Sequence, residues 1–175
     1  MLDKLKTKRC MIRKFNPSDV GGLFEILSNA NVMRYIEPPF TFEQTENFVQ
    51  KYGFCEDPKI FALIYDKSKT LIGHVIYHAF NDDMLEAEFG KGRVFEAGII
   101  LAEQYWGQGI GSEVVGALIE YAGKTGVSSL VFECDRDNIA SIRIAQKLGF
   151  VERKNIEASP RLFILQTKHM QTQQN

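Results

Sequence analysis

The chain has 175 residues, with 21 basic and 22 acidic side chains, a formal net charge of −1 and 45% hydrophobic residues. This is the profile of one globular domain with a substantial core, and it excludes a disordered chain. The near-zero charge argues against a nucleic-acid binder, and no apolar run reaches the length of a membrane span.

Arg9 to Phe15 reads as a first strand. Asn16-Pro17-Ser18-Asp19 supplies helix-start chemistry for a helix to about Ser28, with Gly21-Gly22 weakening its first turns. Thr41-Phe42-Glu43-Gln44 matches a capping box, so a second helix runs to about Tyr52. Lys59 to Tyr65 and Leu71 to Phe80 are strands around the polar turn Asp66-Lys67-Ser68-Lys69. Asn81 to Gly92 reads as a long acidic loop, and Val94 to Leu101 as a strand. A helix from about Glu113 to Ala122 follows a Gly-rich turn, and Ile110, Val114, Leu118 and Ala122 form its buried stripe. Ser129 to Cys134 is a strand, then comes a helix opened by Asn138, with Ile142, Ala145 and Leu148 facing inward. Strands from Phe150 to Asn155 and Arg161 to Lys168 close the sheet. The expected organisation is one domain over residues 1–170 and a polar tail over 171–175. The order of elements predicts an α+β fold, a twisted mixed sheet with helices on both faces.

Three scattered cysteines, Cys10, Cys55 and Cys134, make no CxxC and no disulfide framework. Met1-Leu2-Asp3-Lys4-Leu5-Lys6 lacks the apolar stretch of a signal peptide, so a cytoplasmic setting is expected. His74 and His78 point the same way on a strand, but nothing near them in sequence completes a ligand set, and no metal is expected.

The most informative stretch is Tyr105-Trp106-Gly107-Gln108-Gly109-Ile110-Gly111-Ser112, between a strand and a helix. Such a turn presents backbone N–H groups at the positive end of a helix dipole, a seat for phosphate. A dinucleotide fingerprint from Gly107 would need glycine where Ser112 stands, and a P-loop would need a lysine that is absent. The spacing instead resembles the pyrophosphate loop of the GNAT superfamily of N-acetyltransferases. Asn138 to Phe150, an Asn-opened helix ending in Gly149-Phe150, resembles the later motif of that superfamily. Trp106-Gly107-Gln108-Gly109, Asn138-x-x-Ser141 and Asn31-Val32-Met33-Arg34-Tyr35-Ile36 before Pro38-Pro39-Phe40-Thr41 resemble the branch of ribosomal-protein N-terminal acetyltransferases. The resemblance covers roughly residues 5 to 168.

The resemblance implies a splayed pair of parallel strands holding acetyl-CoA, with the backbone of Ile99, Ile100 and Leu101 on the pantetheine and the thioester carbonyl. The backbone of Gly107, Gln108, Gly109, Ile110, Gly111 and Ser112 would hold the pyrophosphate, with Asn138 on the pantetheine and Trp106 packed over the cofactor or over the sheet edge. Arg143, which shares a helical face with Lys147, is a further candidate for the coenzyme A phosphates. It implies Ser141 as proton donor to the leaving thiolate, because the tyrosine many members use is Ala145 here. Glu96 shares a strand face with Gly98 and Ile100 and is the candidate base, directly or through water. Deprotonating a lysine amine at pH 7 costs about 4–5 kcal/mol, an α-amine only about 1–1.5 kcal/mol. An α-amine therefore suits a weak base. Acceptor recognition is expected from Tyr35, Glu37 and Phe40, with Glu86 and Glu88 as further carboxylates. Cys134 lies at a strand end, but nothing near it in sequence lowers its pKa, so direct transfer is preferred to an acyl-cysteine. The preferred acceptor is a protein or peptide N-terminus. A small amine and a non-catalytic acyl-CoA sensor are the rivals, and either a monomer or a homodimer is compatible.

Overall fold

The computed structural model describes residues 2–153 and 161–167. Its strands are β1 (Lys4–Lys6), β2 (Cys10–Arg13), β3 (Ile60–Tyr65), β4 (Thr70–Ala79), β5 (Val94–Leu101), β6 (Ser129–Cys134), β7 (Val151–Glu152) and β8 (Arg161–Gln166). Its helices are α1 (Asp19–Leu27), α2 (Ala30–Met33), α3 (Phe42–Tyr52), α4 (Asp83–Phe89), α5 (Ile110–Lys124) and α6 (Ile139–Lys147). The described strands form one sheet in the order β1-β2-β3-β4-β5-β6-β8-β7. Only β5 and β6 run parallel. The α+β expectation, a mixed and mostly antiparallel sheet with helices on both faces, is borne out.

The two faces can be read from β3, which is apolar throughout. Phe61 and Leu63 join the core beneath α5, with Val114, Leu118 and Ala122. Ile60, Ala62 and Ile64 join the opposite core beneath α1 and α3, with Leu23, Leu27 and Val49. Strand alternation sends successive residues to opposite layers, and both layers are apolar.

The capping box forms as expected: the Gln44 N–H donates to Thr41 and the Thr41 N–H to the Gln44 side chain. α1 tolerates Gly21-Gly22 because it buries Val20, Leu23, Ile26 and Leu27, and buried Asp19 takes both Arg13 Nη1 (2.6 Å) and Nη2 (2.9 Å).

The acidic loop is corrected to a helix. In α4 the Asp82 side chain accepts from the Leu85 N–H at 2.9 Å, and Asp83 and Glu86 stand in the first turn, where the dipole favours them. Leu85 is buried against Val94, Val131, Leu162 and Ile164, with Phe89 beside it. The apolar i, i+4 pair in this acidic run carried the signal. β1 and α2 were not anticipated, being too short for a period to show. β7 is shorter than expected; the predicted strand ends at Asn155 and Lys168 and the tail over 171–175 lie outside the described residues. Among the described residues no helix is long and apolar enough to cross a membrane.

Candidate active site

The parallel pair β5–β6 is in register only from Val94↔Ser129 to Glu96↔Val131. Beyond that, β5 keeps β4 as its neighbour and β6 keeps β8, so the two strands part. The Ala102 N–H donates to the Ile72 carbonyl and the Phe80 N–H to the Val94 carbonyl, each at 2.8 Å. The unbroken register carries this alternation through Glu96, Gly98 and Ile100, whose backbones face β4. The Ala97 carbonyl and the N–H and C=O groups of Ile99 therefore face the opening, while the Ala97 N–H belongs to the last rung of the β5–β6 ladder. The Leu101 N–H also faces the opening, while the Leu101 carbonyl accepts from Trp106 Nε1 at 2.9 Å. Of the three residues expected to offer backbone to a cofactor, Ile99 is fully turned to the opening, Leu101 in part and Ile100 not at all. Ile100 instead contributes its side chain to the α1–α3 layer.

A 3₁₀ turn at Glu103–Tyr105 leads from β5 into the Gly-rich loop. Gly107 and Gly109 take φ of 70° and 75°, a left-handed backbone that favours glycine. Ile110, Gly111 and Ser112 open α5, and their N–H groups precede the first helical bond, Glu113 N–H to the Gly109 carbonyl at 3.1 Å. The arrangement suits a pyrophosphate. Gly111 has a packing reason as well, since a Cβ there would lie 2.7 Å from Ile144 Cδ1 of α6.

A clamp from the β1–β2 hairpin secures this loop. Arg9 Nε donates to Glu113 Oε2 at 2.6 Å, Arg9 Nη1 to the Gln108 carbonyl at 2.9 Å, and Thr7 Oγ1 to Glu113 Oε1 at 2.5 Å. Desolvation opposes the Glu113 charge, but the Thr7 and Arg9 bonds outweigh it and hold the carboxyl below its ordinary value. These partners are about a hundred residues apart and no local pattern announces them.

A cavity of about 420 Å³ fills the gap between the parted strands. Glu96, Gly98, Ile99 and Ile100 line it from β5, Phe132, Glu133 and Cys134 from β6, Ile76 from β4. Asn138, Ser141, Tyr35, Ile36 and Asp135 complete its lining. Asn138 caps α6, its Oδ1 accepting from the Ser141 N–H at 3.1 Å. Gly98 keeps the floor low between Glu96 and Ile100, since a Cβ there would lie 3.2 Å from Ile76 Cδ1. A second cavity of about 450 Å³ shares Tyr35, Ile36 and Asp135 with the first and adds Arg34, Glu37 and Pro38. The α2 region is tied to the loop by Asn29 and Asn31, whose amides donate to the two Glu103 carboxylate oxygens at 3.1 and 3.0 Å.

Glu96 is mostly buried and has a partner unseen in the sequence: His78 Nε2 lies 3.1 Å from Glu96 Oε2. Desolvation disfavours the imidazolium, but the Glu96 carboxylate and the Ala79 carbonyl, 2.8 Å from Nδ1, hold the His78 pKa above its ordinary value. Glu133 is raised by desolvation and by Glu96, and lowered by His78.

The structure thus brings Glu96, Ser141, Asn138, Ile99, Ile100 and Tyr35 to one cavity, with Glu37 in the adjoining one. Phe40 packs edge-on to Phe48 in the α1–α3 layer. Trp106 lies half-exposed across the end of β5, and Arg143 is exposed on α6. Gln108 turns its side chain back to the Gln104 carbonyl at 2.8 Å. Glu86 stays on α4, near the Gly92 N–H, and Glu88 pairs with Arg153 at 2.6 Å. Cys134 is buried at the end of β6. His78, Glu133, Arg9, Ile76, Ile36 and Asp135 were not anticipated; for His78 the one local signal was its shared strand face with His74.

The family model described as acetyltransferase (GNAT) domain matches residues 9–151. The uncharacterized N-acetyltransferase YnaD of Bacillus subtilis (strain 168) is 31% identical over 147 residues, 83% of this chain and 81% of that protein. Two solved structures share the fold at lower identity. RimL, a ribosomal L7/L12 α-N-protein acetyltransferase in complex with coenzyme A, is 17% identical with a TM-score of 0.79, covering 95% of this chain and 99% of that one. A spermidine N-acetyltransferase from Vibrio cholerae, in complex with coenzyme A and spermine, is 18% identical with a TM-score of 0.73, covering 91% and 96%. The chain belongs to the GNAT family of N-acetyltransferases, whose acyl donor is acetyl-CoA.

Proposed function

We propose that this acetyltransferase modifies the N-terminal α-amine of a protein or peptide. The observation that carries the reading is the second cavity, which continues the first past Tyr35, Ile36 and Asp135. An acceptor whose amine reaches Glu96 has room to extend there beyond its first residue, and Tyr35 and Glu37 stand where that extension passes. The fold likeness to a ribosomal-protein acetyltransferase is compatible with this and does not decide it.

Acetyl-CoA supplies an activated acyl carbon and a thiolate leaving group. The N–H groups at 107–112 suit its pyrophosphate, and the outward backbone of Ile99 suits its pantetheine and thioester carbonyl. Glu96 takes the proton of the amine, which then attacks the acyl carbon directly. Ser141, one turn into α6 and held by Asn138, gives a proton to the departing sulfur and regains one from the nitrogen of the new amide. An acceptor α-amine needs only a modest base, and one carboxylate with a partner meets that need.

A second reading has its own observation. Glu96, Glu133 and Asp135 line the cavity and Glu37 its extension, an acidic surface that favours a polycation such as a polyamine. The two are separated by incubating the protein with isotope-labelled acetyl-CoA, desalted cell lysate and small amines, then locating the label by mass spectrometry. Label on protein N-termini is expected. Label confined to small amines would overturn the peptide reading.

A further inference from the structure

We propose that the acceptor's proton is received by Glu96 and His78 acting as one unit, with Glu96 making the contact and His78 storing the proton. This deepens the reading of Glu96 as the base and rests on it.

The geometry of the two imidazole nitrogens carries the inference. Nδ1 lies 2.8 Å from the Ala79 carbonyl. The Ala79 carbonyl accepts from Nδ1 and so favours the neutral tautomer that carries its hydrogen there. In that tautomer Nε2 is the nitrogen that titrates, and it faces a carboxylate oxygen at 3.1 Å. With a proton on Nε2 the pair is a charge-assisted bond. Without it, a nitrogen lone pair faces a carboxylate oxygen. The deprotonated pair therefore has a seat for one proton.

A solitary carboxylate is a poor base for this task. Its conjugate acid near 4.3 lies more than about three units below an α-amine at 7.7–8.0, a climb on the order of 4–5 kcal/mol. A proton lodged on an imidazole held above its ordinary value lies much closer to the amine. The charged groups around His78 are Glu96 on β5, Glu133 on β6 and Lys59 before β3. Glu96 favours the imidazolium and Lys59 opposes it, while His78 in turn lowers Glu133.

The step balances. One N–H bond of the ammonium breaks toward Glu96, and one N–H bond forms at His78 Nε2. The neutral amine forms the C–N bond, the C–S bond breaks, and the amide nitrogen's surplus proton ends on the thiol sulfur. The stored proton leaves His78 to solvent, to which about a fifth of its side chain is open. His78 does not line the cavity, so it is a positioning residue acting through Glu96.

The first test is a ¹⁵N NMR titration of the histidine rings in the protein without acceptor. His78 is expected to titrate above about 6.5, keep its hydrogen on Nδ1, and fall in Glu96→Gln. A His78 that titrates at its ordinary value in both proteins would overturn the proposal. The second is the pH profile of kcat/KM for a serine-initiated peptide, in wild type and His78→Gln. The variant should lose about tenfold to a hundredfold near pH 7.5, recover toward pH 9.5 where the amine is free, and keep its acetyl-CoA affinity. An equal loss at every pH would make His78 merely structural and overturn it. If no peptide is acetylated the acceptor reading fails, and the ring titration still decides the proton store.

Discussion

His74 and His78 lie four residues apart on one face of β4, and the structure drives them in opposite directions. His74 is fully buried beside Phe48, with no hydrogen-bond partner for either ring nitrogen among the described residues, and burial lowers its pKa to about 4. His78 is raised. A depressed histidine gives stability that is full above its unfolded value near 6.5 and is lost as pH falls toward about 4, on the order of 3 kcal/mol there. A raised one gives stability that is full below about 6.5 and is lost as pH climbs through its folded value. Denaturant midpoints from pH 4 to 9 should show His74→Leu flattening the acid limb and His78→Gln lowering stability only on the acid side. Parallel curves for wild type and His74→Leu would refute the His74 assignment.

Arg9 is expected to matter for the donor although it is remote in sequence from the Gly-rich loop. It neutralises Glu113 at the N-terminal turn of α5 and holds the Gln108 carbonyl. Arg9→Ala leaves an uncompensated carboxylate beside the proposed phosphate seat. The acetyl-CoA KM should rise about tenfold, ~1.4 kcal/mol, with kcat nearly kept. Adding Glu113→Gln should recover part of that loss, because the repelling charge goes with it. Calorimetric coenzyme A binding across this cycle reads the coupling directly; additive effects would dissolve the clamp.

What was legible in the sequence is what a local pattern can encode. The bounds of β5 and β6, the Thr41 capping box and the Asn138 cap follow from apolar runs and cap chemistry within a few residues. Glu96 could be placed on the right face by alternation alone. Its partner could not, because His78 meets it only through the β4–β5 register. The same holds for Thr7 and Arg9 on Glu113. Phe40 illustrates the reverse: it sits beside the acceptor segment in sequence, yet an apolar aromatic next to Phe48 packs inward. In α4, overall acidity obscured a cap and a two-residue apolar stripe.

Two glycines on neighbouring strands should respond differently. A Cβ on Gly73 would lie 2.0 Å from the Ile100 carbonyl oxygen, a backbone atom in the ladder that cannot step aside. Gly73→Ala should cost more than about 3 kcal/mol and lower the melting temperature sharply. A Cβ on Gly98 meets the flexible end of Ile76 at 3.2 Å. Gly98→Val should keep the fold, since an extended strand favours a branched side chain, but fill the cavity floor. Its acceptor kcat/KM should fall by about tenfold or more with coenzyme A binding kept. A Gly98→Val protein with full activity would remove that floor from the acceptor path.

Asn138 and Ser141 are joined by one hydrogen bond, and their substitutions should still separate cap from chemistry. Asn138→Ala removes the acceptor for the Ser141 N–H and should cost about 1 kcal/mol of stability. Because the same side chain lines the cavity, the acetyl-CoA KM should rise with it. Ser141→Ala leaves the backbone cap bond intact, so stability and coenzyme A affinity should hold. Its kcat should fall by about a hundredfold if the hydroxyl protonates the thiolate. That deficit should shrink with an acyl donor whose leaving thiol is more acidic, since such a thiolate departs without a proton. A Ser141→Ala deficit that is the same for both donors would return Ser141 to a purely local role in α6.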